Sequence, residues 1–134
     1  KDAEKKKKNL FLFRSHELIN LENLIRELEK IKSKYNGLIW FKLDSCILHV
    51  SCASLNDAQK LIDKAKYAGW KRAGIMASRK RIVCELLSTE AMAFPIMNRG
   101  KLLVDDKFLE LVVRESNKKL KKIWEKIKRF ESLI

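Results

Sequence analysis

Residues 46–87 read CILHVSCASLNDAQKLIDKAKYAGWKRAGIMASRKRIVCELL and hold a strand, a helix and two further strands in order. Cys46 to Ala53 is a short β-rich run, in which His49 alternates with the apolar Leu48 and Val50. Ser54, with Asp57 three residues on, resembles a capping box. It opens a helix that carries Leu55, Ala58, Leu61, Ile62 and Ala65 on one face. Gly69 stands where a left-handed residue ends a helix. Lys71–Ala77 and Arg81–Leu87 are strand candidates, joined by the basic turn Ser78–Arg79–Lys80. A β-α-β-β run closed by such a turn points to antiparallel pairing, hence to an α+β fold.

Upstream, Leu38–Leu43 is a short β-rich run that the spacing pairs with Cys46–Ala53, as in a hairpin. Before it, Leu21, Leu24, Ile25, Leu28 and Ile31 predict a helix over 20–35, capped by Asn20 and with Gly37 beyond its end. Asn9–Ser15 reads as a strand entering the domain, and residues 1–8 as a basic mobile arm or loop. Downstream, Ala91–Met97 is extended, with Pro95 restricting it to an edge or a bend. The turn Asn98–Arg99–Gly100 leads to a short strand, Lys101–Val104. Asp105 then caps a long basic helix whose stripe is Phe108, Val112, Leu120, Ile123, Ile127 and Phe130. The expected fold is a single α+β domain over 9–134. It has three helices and one mixed, largely antiparallel sheet, with a β-α-β-β order that recurs as a conceivable internal repeat.

The chain of 134 residues has 30 Lys and Arg against 17 Asp and Glu, a formal charge of +13. The excess is concentrated at residues 1–8 (+3), 71–81 (+5) and 118–129 (+6), on a body that is otherwise nearly neutral. Clustered bases attract phosphate and release counterions from a polynucleotide, so nucleic acid is the expected partner. Lys71, Arg72, Arg79, Lys80 and Arg81 are the expected RNA contacts. Trp70 beside them is either a stacking plane or, preferably, a buried anchor for the helix end. No apolar run nears the ~20 residues that span a bilayer, so no membrane is expected. Three cysteines without Cys-x-x-Cys spacing (Cys46, Cys52 and Cys84) suit a reducing, cytoplasmic setting and small core hydrophobes rather than a metal site. The chain opens on Lys1 rather than Met, which suggests a longer gene product.

The four glycines (37, 69, 74 and 100) are too scattered for a GxGxxG or P-loop, which disfavours a Gly-rich Rossmann methyltransferase or dehydrogenase. His16 and Glu17 fall where a strand gives way to a helix. There they can bind a base edge or cofactor, or simply satisfy backbone groups at a turn. His49 alternates with Leu48 and Val50 on its strand. That position suits a hydrogen-bonded histidine better than a catalytic one.

Leu10 to Asn117 resembles the wybutosine-synthesising methyltransferase family, its archaeal members above all. The resemblance rests on Phe11-Leu12-Phe13 with Ser15-His16-Glu17, on Ile47-Leu48-His49-Val50, and on Ala68-Gly69-Trp70-Lys71-Arg72 with Gly74-Ile75. Arg81-Ile82-Val83 with Glu85, then Pro95, Leu102-Leu103-Val104 and Asn117, complete it. It implies methyl transfer from S-adenosylmethionine to a ring nitrogen of the tricyclic wyosine-type guanosine beside the anticodon of phenylalanine tRNA. No obligate protein partner is evident in the sequence. On the methyltransferase reading His16 and Glu17 act at catalysis, and His16 is the first choice of proton acceptor because an ordinary imidazole suits a base at neutral pH. His49, Gly74 and Pro95 would line the cofactor site or pocket, and the five bases would lie on the tRNA backbone. The family's upstream Ser-Cys-Ser-Gly-Arg motif does not occur in these residues, and Ala73 stands where the family has serine. This chain is therefore expected to be part of a longer enzyme or a diverged member. The rival expectation is a non-enzymatic, basic RNA-binding module.

Overall fold

Local signals set most of the elements. In the computed structural model, which describes residues 11–134, Asn20 accepts the Asn23 N–H at 2.8 Å and starts helix α1 (Leu21–Lys32). Strands β1 (Ile39–Leu43) and β2 (Ile47–Cys52) follow, then helix α2 (Leu55–Tyr67), which begins where the Ser54 hydroxyl accepts the Asp57 N–H. Gly69 ends α2 at φ 101°, its N–H bonded to the Lys66 carbonyl and that of Trp70 to Ala65, a Schellman motif. Next come β3 (Arg72–Ala77), β4 (Ile82–Leu87), β5 (Met92–Asn98) and the two-residue β6 (Lys101–Leu102). Asp105 caps helix α3 (Asp106–Leu133) by accepting the Phe108 N–H at 2.8 Å. This is the α+β fold expected from the sequence, with three helices among the described residues.

The described residues divide into two compact units, one up to Phe41 with Ala93–Asn117, the other Lys42–Met92 with Lys118–Ile134. In the second, β2, β4 and β3 form an antiparallel sheet in that order. The period-2 alternation sends Leu48, Val50, Cys84, Leu86, Ala73 and Ile75 to one face. They meet Ala58, Ile62 and Ala65 of α2, together with Trp70 and Phe130. Trp70 is fully buried, edge-on to Phe130, and its indole N–H donates to the Lys126 carbonyl at 3.2 Å.

In the first unit, Leu24, Leu28 and Ile31 of α1 pack with Ile39, Ile96, Met97 and Leu109. Phe41 stacks on Phe94, and Phe94 meets Phe108 edge-on. The strand order is β1-β5-β6, and β5 and β6 turn through Arg99 (φ 51°) and Gly100 (φ 70°), as a two-residue type I′ hairpin requires.

Four expectations are corrected. There are two three-stranded sheets, not one, because β1 and β2 do not form a hairpin: β1 lies beside β5 and β2 beside β4. The Cys46 N–H donates to the Ser88 hydroxyl and the Ser88 N–H to the Cys46 carbonyl, which ties the start of β2 to the end of β4. Residues 11–15 form no strand; the Ser15 hydroxyl accepts the Glu17 N–H and bends the chain. The first copy of the supposed repeat thereby loses its opening strand. Pro95 sits within β5, between β1 and β6, yet β6 pairs only with Met97 and Asn98, so on that side the ladder asks no N–H of the proline. Residues 1–8, expected to be a basic arm, lie outside the described residues, as do Asn9 and Leu10 of the expected first strand.

Candidate functional site

The other face of the β2-β4-β3 sheet is open to solvent. Register places His49 opposite Glu85 and Glu85 opposite Gly74, so the three share one row across it. The His49 Nε2 lies 2.9 Å from the Glu85 Oε2, and both side chains are substantially exposed. When the imidazole is neutral, a carboxylate at that distance favours the tautomer with its proton on Nε2 and the lone pair on Nδ1. Beside them, a Cβ placed on Gly74 would find nothing within 4 Å. The row therefore ends in open surface, where the β3 backbone carries no side chain.

The adjoining hairpin carries the bases. Arg72 shares the face of Gly74 and Glu85, two residues from Gly74 along β3. Arg79, Lys80 and Arg81 are exposed in the turn, where the Ser78 N–H donates to the Arg81 carbonyl at 2.8 Å and the Ser78 hydroxyl accepts the Arg81 N–H. Lys71 is exposed just before β3. Trp70 offers no stacking plane, because the core takes it whole.

The remaining sequence candidates belong to the other unit. His16 and Glu17 are exposed in the bend before α1, and Pro95 is exposed on β5. The bend is held by Asn117, whose side-chain oxygen accepts the Ile19 N–H at 2.9 Å while its amide nitrogen donates to the Ile19 carbonyl at 2.7 Å. The side chain thus satisfies both polar groups of that residue, as a neighbouring strand would.

Two further groups were given no role from the sequence. Glu85 is a lone charge inside the aliphatic run Ile82–Leu87, a signal that it faces away from the core or pairs. Glu90 and Lys126 form a buried ion pair at 2.6 Å. Burial pushes the Glu90 carboxyl up, but the Lys126 hydrogen bond, its own backbone N–H and the charges of Lys126 and Lys122 outweigh it, leaving Glu90 below the usual range. The Cys84 and Cys46 thiols are poor nucleophile candidates. Burial, then the hydrogen bond and charge of Cys52, push Cys84 up to about 11, and burial raises Cys46.

The fold and this surface define a class: a basic α+β protein with no glycine-rich nucleotide loop, which exposes an imidazole–carboxylate pair beside a basic hairpin. The chain belongs to the family described as Methyltransferase TYW3, whose model matches residues 1–134. It is 36% identical over 113 residues to the tRNA(Phe) 7-((3-amino-3-carboxypropyl)-4-demethylwyosine(37)-N(4))-methyltransferase 1 of Pyrococcus horikoshii, covering 84% of this chain and 58% of that protein. It is 31% identical to the tRNA wybutosine-synthesizing protein 3 homolog of Danio rerio, covering 92% of this chain and 48% of that one. The solved structure of the PH1069 protein from Pyrococcus horikoshii matches with a TM-score of 0.81 at 31% identity, over 90% of this chain and 61% of that one. The chain thus spans roughly half to three-fifths of the length of these relatives.

Proposed function

We propose that this chain is part of a tRNA methyltransferase that moves a methyl group from S-adenosylmethionine to a ring nitrogen of the tricyclic wyosine-type guanosine beside the anticodon of phenylalanine tRNA. The observation that carries the reading is the family match over the whole chain, to relatives named for that reaction. The exposed sheet face supports it. Arg72, Arg79, Lys80 and Arg81 suit the phosphates of an anticodon stem. The open surface over Gly74, beside the Glu85 carboxylate, leaves room for the donor and sets a negative charge near its cationic sulfonium. S-adenosylmethionine would supply an activated methyl group there. The chain's own residues then have to orient the donor and acceptor, exclude water and take a proton, and positioning alone lowers such a barrier substantially. His16 and Glu17, held by the Asn117 clasp, stand as pocket residues on the first unit.

The test is transfer of labelled methyl from S-adenosylmethionine to phenylalanine tRNA carrying the unmethylated tricyclic precursor, with both this chain and the complete gene product. Labelled tRNA is the expected result from at least the complete product. No label from either, with tRNA still bound, would favour the basic RNA-binding module instead.

A further inference from the structure

The protein's two histidines differ in what surrounds them. His16 is exposed on a bend. His49 is fixed on a strand, with a carboxylate 2.9 Å from Nε2 and open space one strand beyond. An imidazole whose N–H is held by a carboxylate has one tautomer and one orientation, and its other nitrogen is free to take a proton. Nothing about packing requires this pair, since both side chains face away from the hydrophobic core. Its exposure makes it worth little as a surface ion pair.

We infer that His49 accepts the proton released by the ring nitrogen during methyl transfer, and that Glu85 is the positioning residue that holds His49 in the accepting tautomer. This rests on the methyltransferase reading above. The nitrogen's electron pair forms the bond to the methyl carbon as the carbon–sulfur bond breaks and its pair goes to sulfur. The nitrogen's proton passes to His49 Nδ1, and the imidazolium later loses it to water. The product is a neutral N-methyl base.

The experiment uses the complete gene product, phenylalanine tRNA with the unmethylated tricyclic base, and labelled S-adenosylmethionine. His49→Ala should lower kcat by about 100-fold, with KM for tRNA within about twofold of the parent. Imidazole added to the buffer should restore part of the loss. His49→Gln, which keeps a partner for Glu85, guards against a folding defect and should be equally slow. Glu85→Gln should lower kcat in the same direction but less. A readout independent of turnover is the ¹⁵N spectrum of the His49 ring. The parent should show Nε2 protonated and Nδ1 bare, Glu85→Gln should mix the tautomers, and bound tRNA should shift the Nδ1 resonance. If the parent is active and both His49 variants turn over within about threefold of it, the assignment is overturned while the methyltransferase reading stands. If the parent itself transfers nothing to tRNA, that reading fails and the assignment falls with it.

Discussion

Lys126 serves three neighbours: its ammonium bonds Glu90, its carbonyl receives the Trp70 indole N–H, and its methylene stem lies under Gly69, 3.6 Å from where a Cβ would stand. Cutting the side chain off would leave the Glu90 carboxylate buried, with Oε2 already lacking a hydrogen-bond partner among the described residues. Breaking a buried pair from one side costs about 3–5 kcal/mol, whereas replacing both partners is far milder. Lys126→Met should therefore lower stability to urea by about that amount, and Glu90→Gln with Lys126→Met should recover much of it. The pH dependence has a definite sign. Glu90 is held below its unfolded value, so its contribution is complete above the ordinary carboxylate range and drains away as pH falls through the lowered folded value. The double variant should lose that part of the acid sensitivity, as urea titrations at a series of pH values would show.

At the scale of elements, the bend before α1 hangs on one side chain from α3. Asn117→Ala would strip both polar partners from Ile19. The Ile19 amide should then exchange its hydrogen at least about tenfold faster, a local opening, while the amides of β4 keep their protection. This clasp also shows where sequence reading stops. Ser54, Gly69, Asp105 and the Ser78–Lys80 turn announced themselves because caps and turns are short-range chemistry. Ile19 and Asn117 are 98 residues apart, His49 and Glu85 36, and Cys46 and Ser88 42. No local pattern carries those pairings. The supposed β1–β2 hairpin failed for the same reason: strands adjacent in sequence usually pair, but here the Ser88 hydroxyl and the aliphatic face of β4 claim β2. The basic hairpin was legible down to its residues, and His49 was legible as a strand histidine. Its carboxylate partner became visible only through the register.

Over the whole molecule the charge is uneven. The unit holding the β2-β4-β3 sheet has 16 Lys and Arg against 7 Asp and Glu, while the other, counted from residue 1, has 14 against 10. A polyanion is drawn mainly to the former, and salt weakens that attraction in proportion to the phosphates neutralised. Arg72→Ala with Arg79→Ala should weaken tRNA binding and reduce the slope of log K against log salt by about two, with melting unchanged because both side chains are exposed. An unchanged slope, measured by filter binding at several salt concentrations, would move the RNA off this hairpin.

The burial of Trp70 has a consequence for light. Of the three tryptophans, Trp40 and Trp124 are 52% and 39% exposed and Trp70 is not exposed at all. Two indoles therefore emit from a watery setting and are open to collisional quenchers, while the third glows bluer behind a wall of aliphatic side chains. Once acrylamide has darkened the outer two, the emission that persists comes from a single residue in the core beneath the β2-β4-β3 sheet. The protein thus carries a native lamp for that core, which needs no dye and goes red when the core opens.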